Sequence, residues 1–318
     1  MKYRFSMMAA IVISVVITGA ASAIEAENGW TILGQNDDSS FEYKVLLEKE
    51  SLYHYIRVVE SGGVRRLQFR RSGSEYEESA INIQKPLEFE MYYYSLMFAG
   101  FAHKPNPKRI LFIGLGGGTV SMAVHHYFPG VPIDNIDLDP AVVEVAKKYF
   151  GFKEDDCMKV YVRDGRVQAR RLMRDKTKYD IIFVDAFRGG YIPYHLTTKE
   201  FMEILKALLT PEGIVVSNLR PGFESYDYHR RTFDAVFRNQ YSYGSGSNVA
   251  VIVDTRDKPL TAEELLTTAR RLQKEKNFTL DLPRIIESEQ SQDDYERKGP
   301  ILTDDYAPTD VLRGIPRN

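Results

Sequence analysis

The period of hydrophobic and polar positions changes part-way along the chain. Between residues 41 and 86, apolar and polar residues alternate, as they do in strands with one buried face. From residue 105 onward, short continuous apolar runs instead alternate with segments of helical period. This change predicts a small antiparallel β-domain followed by an α/β domain built on a doubly wound, mostly parallel sheet.

The first region contains three predicted strands and ends in a predicted linking helix over residues 87–101. Its strands are expected at 43–48, 53–59 and 64–69. Strands of the α/β region are expected at 110–113, 133–138, 158–162, 179–184, 214–219 and 249–253. Helices are expected at 120–128, 141–150, 166–174, 197–209 and 226–238, with a further helix that begins at a capping box at Thr261.

The first 23 residues fit neither pattern. A basic start precedes an apolar run over residues 7–21, and Ala21-Ser22-Ala23 matches a small-x-small cleavage site. We therefore expect a signal peptide over residues 1–23 and an exported protein, periplasmic or secreted. The alternative is an uncleaved anchor formed by residues 7–21, which would tether the protein to a membrane.

The remaining chain divides into two predicted domains. Residues 24–104 form the β-domain with its linking helix, and residues 105–318 form the α/β domain. The apolar fraction of 43% supports a substantial core, and the net charge of −2 argues against a nucleic-acid partner. A single cysteine excludes an internal disulfide and a cysteine-rich metal site, so we expect no metal. Homo-oligomerisation stays open.

A glycine-rich loop is the most informative motif. The predicted strand at 110–113 is followed by Gly114, Gly116, Gly117 and Gly118, and then by a helix. Such a loop leaves the backbone open to a ligand. The next strand ends at Asp137, and a carboxylate there can accept hydrogen bonds from both hydroxyls of a ribose. The motif therefore predicts a nucleoside.

Acids close three neighbouring predicted strands, at Asp137, Asp164 and Asp185. Ligands of open α/β sheets bind outside the carboxyl ends of the strands, so these acids are expected at one site. The dinucleotide fingerprint fails at Thr119, and the loop carries no Lys or Arg for a phosphate. The pattern favours S-adenosylmethionine or a relative over NAD.

Each acid also has a structural interpretation. Asp139, which precedes Pro140, fits a helix N-cap and leaves Asp137 for the ligand. Asp164 could cap the helix that follows it. Asp185 follows a run of apolar residues, where an acid is costly unless it is solvated or functional.

Taken in order, the motifs resemble the spermidine synthase (polyamine aminopropyltransferase) family over residues 43–312. They are the glycine loop, Ile136-Asp-Leu-Asp-Pro140, Arg163-Asp-Gly-Arg166, Tyr179-Asp-Ile-Ile-Phe-Val-Asp185 and Leu208-Leu-Thr-Pro-Glu-Gly213. The resemblance implies a methyltransferase-like Rossmann fold behind a small β-domain. It also implies decarboxylated S-adenosylmethionine or S-adenosylmethionine as co-substrate and a small-molecule amine as acceptor.

The resemblance also implies residue roles. Asp137 would bind the ribose hydroxyls, Asp164 and Gly165 the adenine, and Asp185 would be the catalytic acid that deprotonates and orients the amine. The chain departs from the family at two of its acids. Gly117 replaces the acid of the glycine loop, and Arg188 replaces the acid that holds the diamine. The family's Tyr-His-Glu-Met cluster is absent, and Tyr92 and its neighbours occupy that region. Tyr92 and Arg188 are therefore the candidate substrate-binding residues.

These departures leave three functions open. The leading one is transfer of an aminopropyl-type group to an amine, as in polyamine biosynthesis, with Asp185 as the base. Gly117 leaves space for an intact methionine carboxylate, and Arg188 could pair with an anionic acceptor, which would suit a methyltransferase. The third is a non-catalytic protein that binds a nucleoside or polyamine, because export would separate an enzyme from cytoplasmic S-adenosylmethionine.

Overall fold

The computed structural model describes residues 43–71, 73–290 and 294–312, together with the residue pairs 25–26 and 30–31. The two pairs form a short antiparallel ribbon, β1 (Glu25–Ala26) and β2 (Trp30–Thr31). The predicted signal peptide, residues 1–23, lies outside the described residues. Among the helices that are described, none has the length and apolar character needed to cross a membrane.

The N-terminal domain is a four-stranded antiparallel meander. Its strands are β3 (Lys44–Glu50), β4 (Tyr55–Ser61), β5 (Val64–Arg71) and β6 (Ser74–Asn82). Strand β6 pairs with β5 out of step, because Leu67 lies opposite Ser79 while Gln68 lies opposite Glu77. Glu78 is therefore the extra residue of a β-bulge, a feature that bends a strand and redirects a side chain.

Two short helices link the domains, α1 (Tyr92–Met97) and α2 (Gly100–His103). The prediction of a single helix over residues 87–101 is wrong, because residues 86–91 form turns and bends and a turn at residues 98–99 separates the two helices. Gly100 lies against the main sheet so closely that an added Cβ would stand 2.7 Å from Cγ2 of Val216. Most of this segment is buried, which its Tyr- and Met-rich composition allows.

The C-terminal domain is a seven-stranded sheet of order β12-β13-β11-β10-β7-β8-β9. Its strands are β7 (Ile110–Ile113), β8 (Ile133–Asp137), β9 (Met158–Val162), β10 (Tyr179–Val184), β11 (Leu209–Leu219), β12 (Asn239–Tyr243) and β13 (Val249–Asp254). Strands β7 to β11 run parallel to one another, and β13 runs antiparallel to both of its neighbours, β11 and β12. The predicted fold, a methyltransferase-like α/β domain behind a small antiparallel β-domain, is confirmed.

Helices cover both faces of this sheet. They are α3 (Thr119–Tyr127), α4 (Pro140–Val145), α5 (Gly165–Arg174), α6 (Lys199–Leu208), α7 (Ser225–Asp234), α8 (Ala262–Lys276), α9 (Leu282–Glu287) and α10 (Thr309–Leu312). Ile110 and Phe112 of β7 face one apolar core, and Leu111 and Ile113 face the other. Because both faces are buried, these strands are continuous apolar runs in the sequence.

Several elements differ from the predicted ones. Strands β6 and β12 were not predicted, and the helix predicted at 226–238 ends at Asp234 so that β12 can begin at Asn239. The helix predicted at 141–150 is α-helical only to Val145 and continues as a π-helical turn, Ala146–Phe150. Strand β6 is rich in Glu, which has a low strand preference. It forms because β5 supplies its hydrogen-bonding partner.

The N-terminal sheet packs on α4 through Ile56, Val58 and Phe69, which share a core with Val142 and Val145. Polar contacts fix the same boundary: the side chains of Ser51 and His54 both reach Oδ2 of Asp139, and Arg65 donates to the carbonyl of Tyr149 at 2.7 Å. This packing holds β6 across the carboxyl ends of the parallel strands.

Candidate active site

A cavity of about 360 Å³ opens where β6 crosses the carboxyl ends of the parallel strands. Its wall includes the glycine loop, the ends of β8, β9, β10 and β11, and the acidic part of β6. A volume of this order suits a cofactor-sized ligand. The three acids predicted at the strand ends, Asp137, Asp164 and Asp185, all line it.

The glycine loop divides into two parts. Gly114 and Gly116 line the cavity and have positive φ of 97° and 54°. Gly114 also lets two strand ends approach, since a Cβ there would stand 2.2 Å from the carbonyl oxygen of Asp185. Glycine is therefore required at Gly114 for both the conformation and the close contact.

Gly117 and Gly118 do not line the cavity, which corrects their predicted place in the binding surface. A Cβ on Gly117 would stand 2.6 Å from the ring of Phe150, and one on Gly118 would stand 2.7 Å from the ring of Phe152. The space expected at Gly117 for a methionine carboxylate is thus filled by Phe150. The amide of Gly117 donates to Oγ of Ser79 at 3.0 Å and ties the loop to β6.

Asp137 is held rigidly at the end of β8. Its Oδ2 accepts from the amide of Leu115 at 3.0 Å, and its Oδ1 accepts from the amide of Asp139 at 2.9 Å. Burial raises the pKa of Asp137, and these two hydrogen bonds oppose the rise. Asp139 caps α4 by accepting from the amide of Ala141 at 2.9 Å, as predicted. Asp137 is thereby left to face the cavity.

Asp164 has two functions in the structure. Its Oδ1 caps α5 by accepting from the amide of Val167 at 2.9 Å, and its Oδ2 lies 2.8 Å from Nε2 of His195. The hydrogen bond from His195 is the main reason that the pKa of Asp164 is lowered. Gly165, next in the chain, also lines the cavity and packs on Ile113, whose Cγ2 would be 2.8 Å from an added Cβ.

Asp185 follows β10 and has no cationic partner among the described residues. Its Oδ1 accepts from Nδ2 of Asn218 at 2.9 Å, and Asn218 in turn accepts from Asn248 at 2.9 Å. Burial raises the pKa of Asp185, while hydrogen bonds from Asn218 and Tyr93 oppose the rise. A carboxylate held by neutral donors is oriented without being neutralised, and it remains able to accept a proton.

Glu78 is a site residue that the sequence did not reveal. The bulge in β6 turns its carboxyl into the cavity, where Oε1 accepts from the amide of Gly189 at 3.1 Å. Burial, reinforced by the charge of Asp185, raises the pKa of Glu78 to about 8. Glu78 and Asp185 thus form a pair of neighbouring carboxyls in which Glu78 carries a proton near neutral pH.

Tyr92, predicted to bind substrate, lies outside the cavity and is 61% exposed. Its neighbours Tyr93 and Tyr94 line the cavity instead. The Tyr94 hydroxyl accepts from the amide of Ala80 at 3.0 Å, which anchors α1 to β6. One residue is about 100° around a helix, so three consecutive tyrosines cannot share a face.

Arg188 lines the cavity, as its predicted contact with a substrate requires, and lies at its exposed rim. Its Nη2 donates to the carbonyl of Tyr53 at 3.3 Å, across the domain boundary. A second guanidinium, that of Arg220, lines the same cavity and was not predicted. Within the described residues, no cluster of three or more His, Cys, Asp or Glu side chains is placed to hold a metal ion.

Comparison with known proteins identifies the family. The spermine/spermidine synthase domain model matches residues 90–255, which are about half of the chain. A polyamine aminopropyltransferase of Vibrio vulnificus (strain CMCP6) is 31% identical over 277 residues, covering 85% of this chain and 91% of that protein. This chain belongs to the spermine/spermidine synthase family. The predicted resemblance is confirmed, and the protein is a transferase of this family.

Solved structures agree with this assignment of the fold. The crystal structure of human methyltransferase-like protein 13 in complex with SAH matches with a TM-score of 0.54 and 28% identity, covering 70% of this chain and 100% of that chain. The spermidine synthase from Thermotoga maritima matches with a TM-score of 0.57 and 20% identity, covering 76% of this chain and 82% of that chain. Both a synthase and a methyltransferase therefore share this architecture.

Proposed function

We propose that this protein transfers an aminopropyl-type group from an adenosyl-sulfonium donor to the nitrogen of a small amine, as in polyamine biosynthesis. The observation that carries the proposal is Asp185, a partly buried carboxylate that lines the cavity and is oriented by Asn218, with no cationic partner among the described residues. The relative from Vibrio vulnificus, a polyamine aminopropyltransferase, supports the same reaction class.

Asp137 and Asp164 lie at the ends of adjacent strands and would receive the nucleoside. Asp137 has both oxygens fixed by amides, so its remaining lone pairs are oriented for the two ribose hydroxyls. Asp164 would receive the adenine amino group. Within the part of the chain that the structure describes, the glycine loop has no lysine or arginine, which suits a donor without phosphates. The donor would be decarboxylated S-adenosylmethionine or S-adenosylmethionine, and no metal is needed.

The reaction forms one bond and breaks one. The amine nitrogen attacks the carbon bonded to the sulfonium, a C–N bond forms, and the C–S electron pair returns to sulfur to give a neutral thioether. The amine must first lose a proton, and Asp185 would accept it. Holding the amine in line with the C–S bond would supply most of the remaining acceleration, because sulfonium is already a good leaving group.

A mass-spectrometric assay tests the proposal directly. The purified protein is given decarboxylated S-adenosylmethionine or S-adenosylmethionine with a panel of amines, and the mass gained by the amine identifies the transferred group. Asp185→Asn should retain nucleoside affinity and lose about 10²–10⁴-fold in turnover, the usual effect of removing a general base. Unchanged turnover in this variant would show that Asp185 is not the base.

Methyl transfer is the second candidate. It is favoured by the 28% identity with human methyltransferase-like protein 13, which is matched over its whole chain in complex with SAH. A gain of one methyl group with S-adenosylmethionine would identify this reaction. If neither donor yields a product although methylthioadenosine binds tightly, a non-catalytic nucleoside-binding protein is the correct interpretation.

We also propose that the protein is exported, either to the periplasm or outside the cell, or anchored by residues 7–21. The basis is sequence alone: a basic start, an apolar run and Ala21-Ser22-Ala23. Cell fractionation with N-terminal sequencing of the mature protein is the test. A mature form that begins after Ala23 is expected, whereas a cytoplasmic protein that begins at Met1 would exclude export.

A further inference from the structure

Six carboxyls line the cavity, and four of them already have partners. Two lie beside cations, Glu75 beside Arg57 and Glu77 beside Arg66, and Asp164 lies 2.8 Å from Nε2 of His195. Asp137 accepts from two backbone amides. Glu78 and Asp185 remain, and neither forms an ion pair within the described part of the chain. Asp185 is therefore available to pair with a cationic group of a ligand, and a cation held there would displace the proton that Glu78 carries near neutral pH.

Two arginines of the same cavity also lack an acidic partner among the residues that the structure describes. Arg188 donates to the carbonyl of Tyr53 at 3.3 Å. Arg220 donates to the carbonyl of Gly190 at 3.2 Å, and its guanidinium lies 5.1 Å from the ring centre of Phe223. Carbonyls and rings orient a guanidinium without neutralising it. Arg188 and Arg220 are therefore available for an anionic group of a ligand.

The strand order separates these charges from the nucleoside end. Asp137 and Asp164 end β8 and β9, whereas Arg188 follows β10 and Arg220 follows β11. Neighbouring strands are about 4.8 Å apart, so β11 lies roughly 14 Å from β8 in the order β8-β7-β10-β11. The arginines thus lie on the side of the cavity where the acceptor, not the adenosine, would bind.

The side chains of Glu78 and Arg220 bind neighbouring peptide groups of the chain. Glu78 accepts from the amide of Gly189, and Arg220 donates to the carbonyl of Gly190. Consecutive Cα atoms are about 3.8 Å apart, so the two side chains converge on one short segment of the wall. The charge of Arg220 also acts on Glu78, although the two groups form no ion pair. This spacing suits a ligand whose opposite charges are a few bonds apart.

We propose that the acceptor is a small amino carboxylate, with its ammonium between Glu78 and Asp185 and its carboxylate on Arg188 and Arg220. This inference rests on the proposed transfer function and names its substrate class. Guanidinium groups pair with carboxylates through parallel hydrogen bonds, and the same groups repel a second ammonium. A diamine, which carries two ammonium groups, fits this charge pattern less well than a zwitterion.

Three ligands with four-carbon chains test the inference on the full-length protein saturated with methylthioadenosine. They are 4-aminobutyrate, putrescine and butylamine, and each is titrated by calorimetry. The amino carboxylate is expected to bind at least tenfold more tightly than either of the others. Arg220→Gln should abolish that preference, and Arg220→Lys should retain part of it. The control Arg174→Gln, an exposed arginine at the end of α5, should change nothing.

Equal or tighter binding of putrescine overturns the inference, as does a lack of binding by all three ligands. The carboxylate of the donor is an alternative ligand for Arg188 and Arg220. The affinities of the protein for methylthioadenosine and for SAH are therefore compared. If Arg220→Gln weakens SAH tenfold but leaves 4-aminobutyrate unaffected, the arginines serve the donor and the inference is wrong. Tight 4-aminobutyrate binding without turnover would instead refute the transfer function alone.

Discussion

Replacing Glu78 by glutamine should change how the stability of the protein depends on pH. Glu78 titrates near pH 8 in the folded protein because burial and the neighbouring Asp185 disfavour its charge. In the unfolded chain a glutamate titrates near pH 4.5. Between these values the folded state holds a proton that the unfolded state has released. The free energy of unfolding therefore falls as the pH rises through this range.

The magnitude follows from the size of the shift. Each pH unit between the two pKa values lowers the free energy of unfolding by about 1.4 kcal/mol. From pH 6 to pH 8 the loss is therefore at most about 2.7 kcal/mol. Glu78 is only partly buried, which reduces this limit. From pH 6 to pH 8 we expect the free energy of unfolding of the wild type to fall by about 1–2 kcal/mol more than that of Glu78→Gln.

Urea denaturation of both proteins at pH 6 and pH 8 measures this difference. Glutamine has the shape of the protonated acid and keeps the oxygen that accepts from Gly189, so Glu78→Gln should fold. Glu203→Gln is the matched control, because Glu203 is an exposed acid on α6, 3.7 Å from Lys199. Wild type and the control should share one pH slope. If Glu78→Gln has that slope too, Glu78 does not hold a proton near neutral pH and the carboxyl pair is wrongly described.

Three further variants test separate parts of the site. Asp137→Ala should weaken methylthioadenosine binding by about ten- to a hundredfold in calorimetry, since a charged hydrogen-bond acceptor contributes roughly 1.5–3 kcal/mol; equal affinity would refute its ribose contact. Gly117→Asp should lower stability in urea without improving donor binding, because its Cβ would stand 2.6 Å from Phe150; a stable variant with higher donor affinity would contradict that packing. Arg188→Asp should increase the use of putrescine in the product assay, because it replaces a repulsive cation by an acid; unchanged use would show that Arg188 does not face the acceptor.

The strand ends were predictable from the sequence because burial leaves a local signal. Strands covered on both faces are continuous apolar runs, and the residue that follows each run lies at the carboxyl edge of the sheet. Asp137, Asp164 and Asp185 were found in this way, and all three line the cavity. A different signal located the β-domain, where alternation of apolar and polar residues indicated β3, β4 and β5.

Residues whose place depends on tertiary contacts were not predictable. Tyr92 and Tyr93 are adjacent in the chain, and only the rotation of α1 against the sheet decides which one faces the cavity. Gly117 packs against Phe150 because the π-helical turn places that ring next to the glycine loop. Neither the rotation nor the turn has a signal in a single sequence, because both arise from packing between distant segments.

The acid-rich strand β6 contributes Glu78 to the site, and its composition alone does not indicate this. In a regular strand, Glu77 and Glu78 would point to opposite faces of the sheet, whereas in the structure both line the cavity. The bulge adds one residue to β6, so Ile81 stays in the core while Glu78 is turned toward Asp185. The second carboxyl of the site thus comes from the N-terminal sheet, across the cavity from the Rossmann domain. Any movement of one domain against the other would change the distance between the two carboxyls, and with it the proton affinity of the pair.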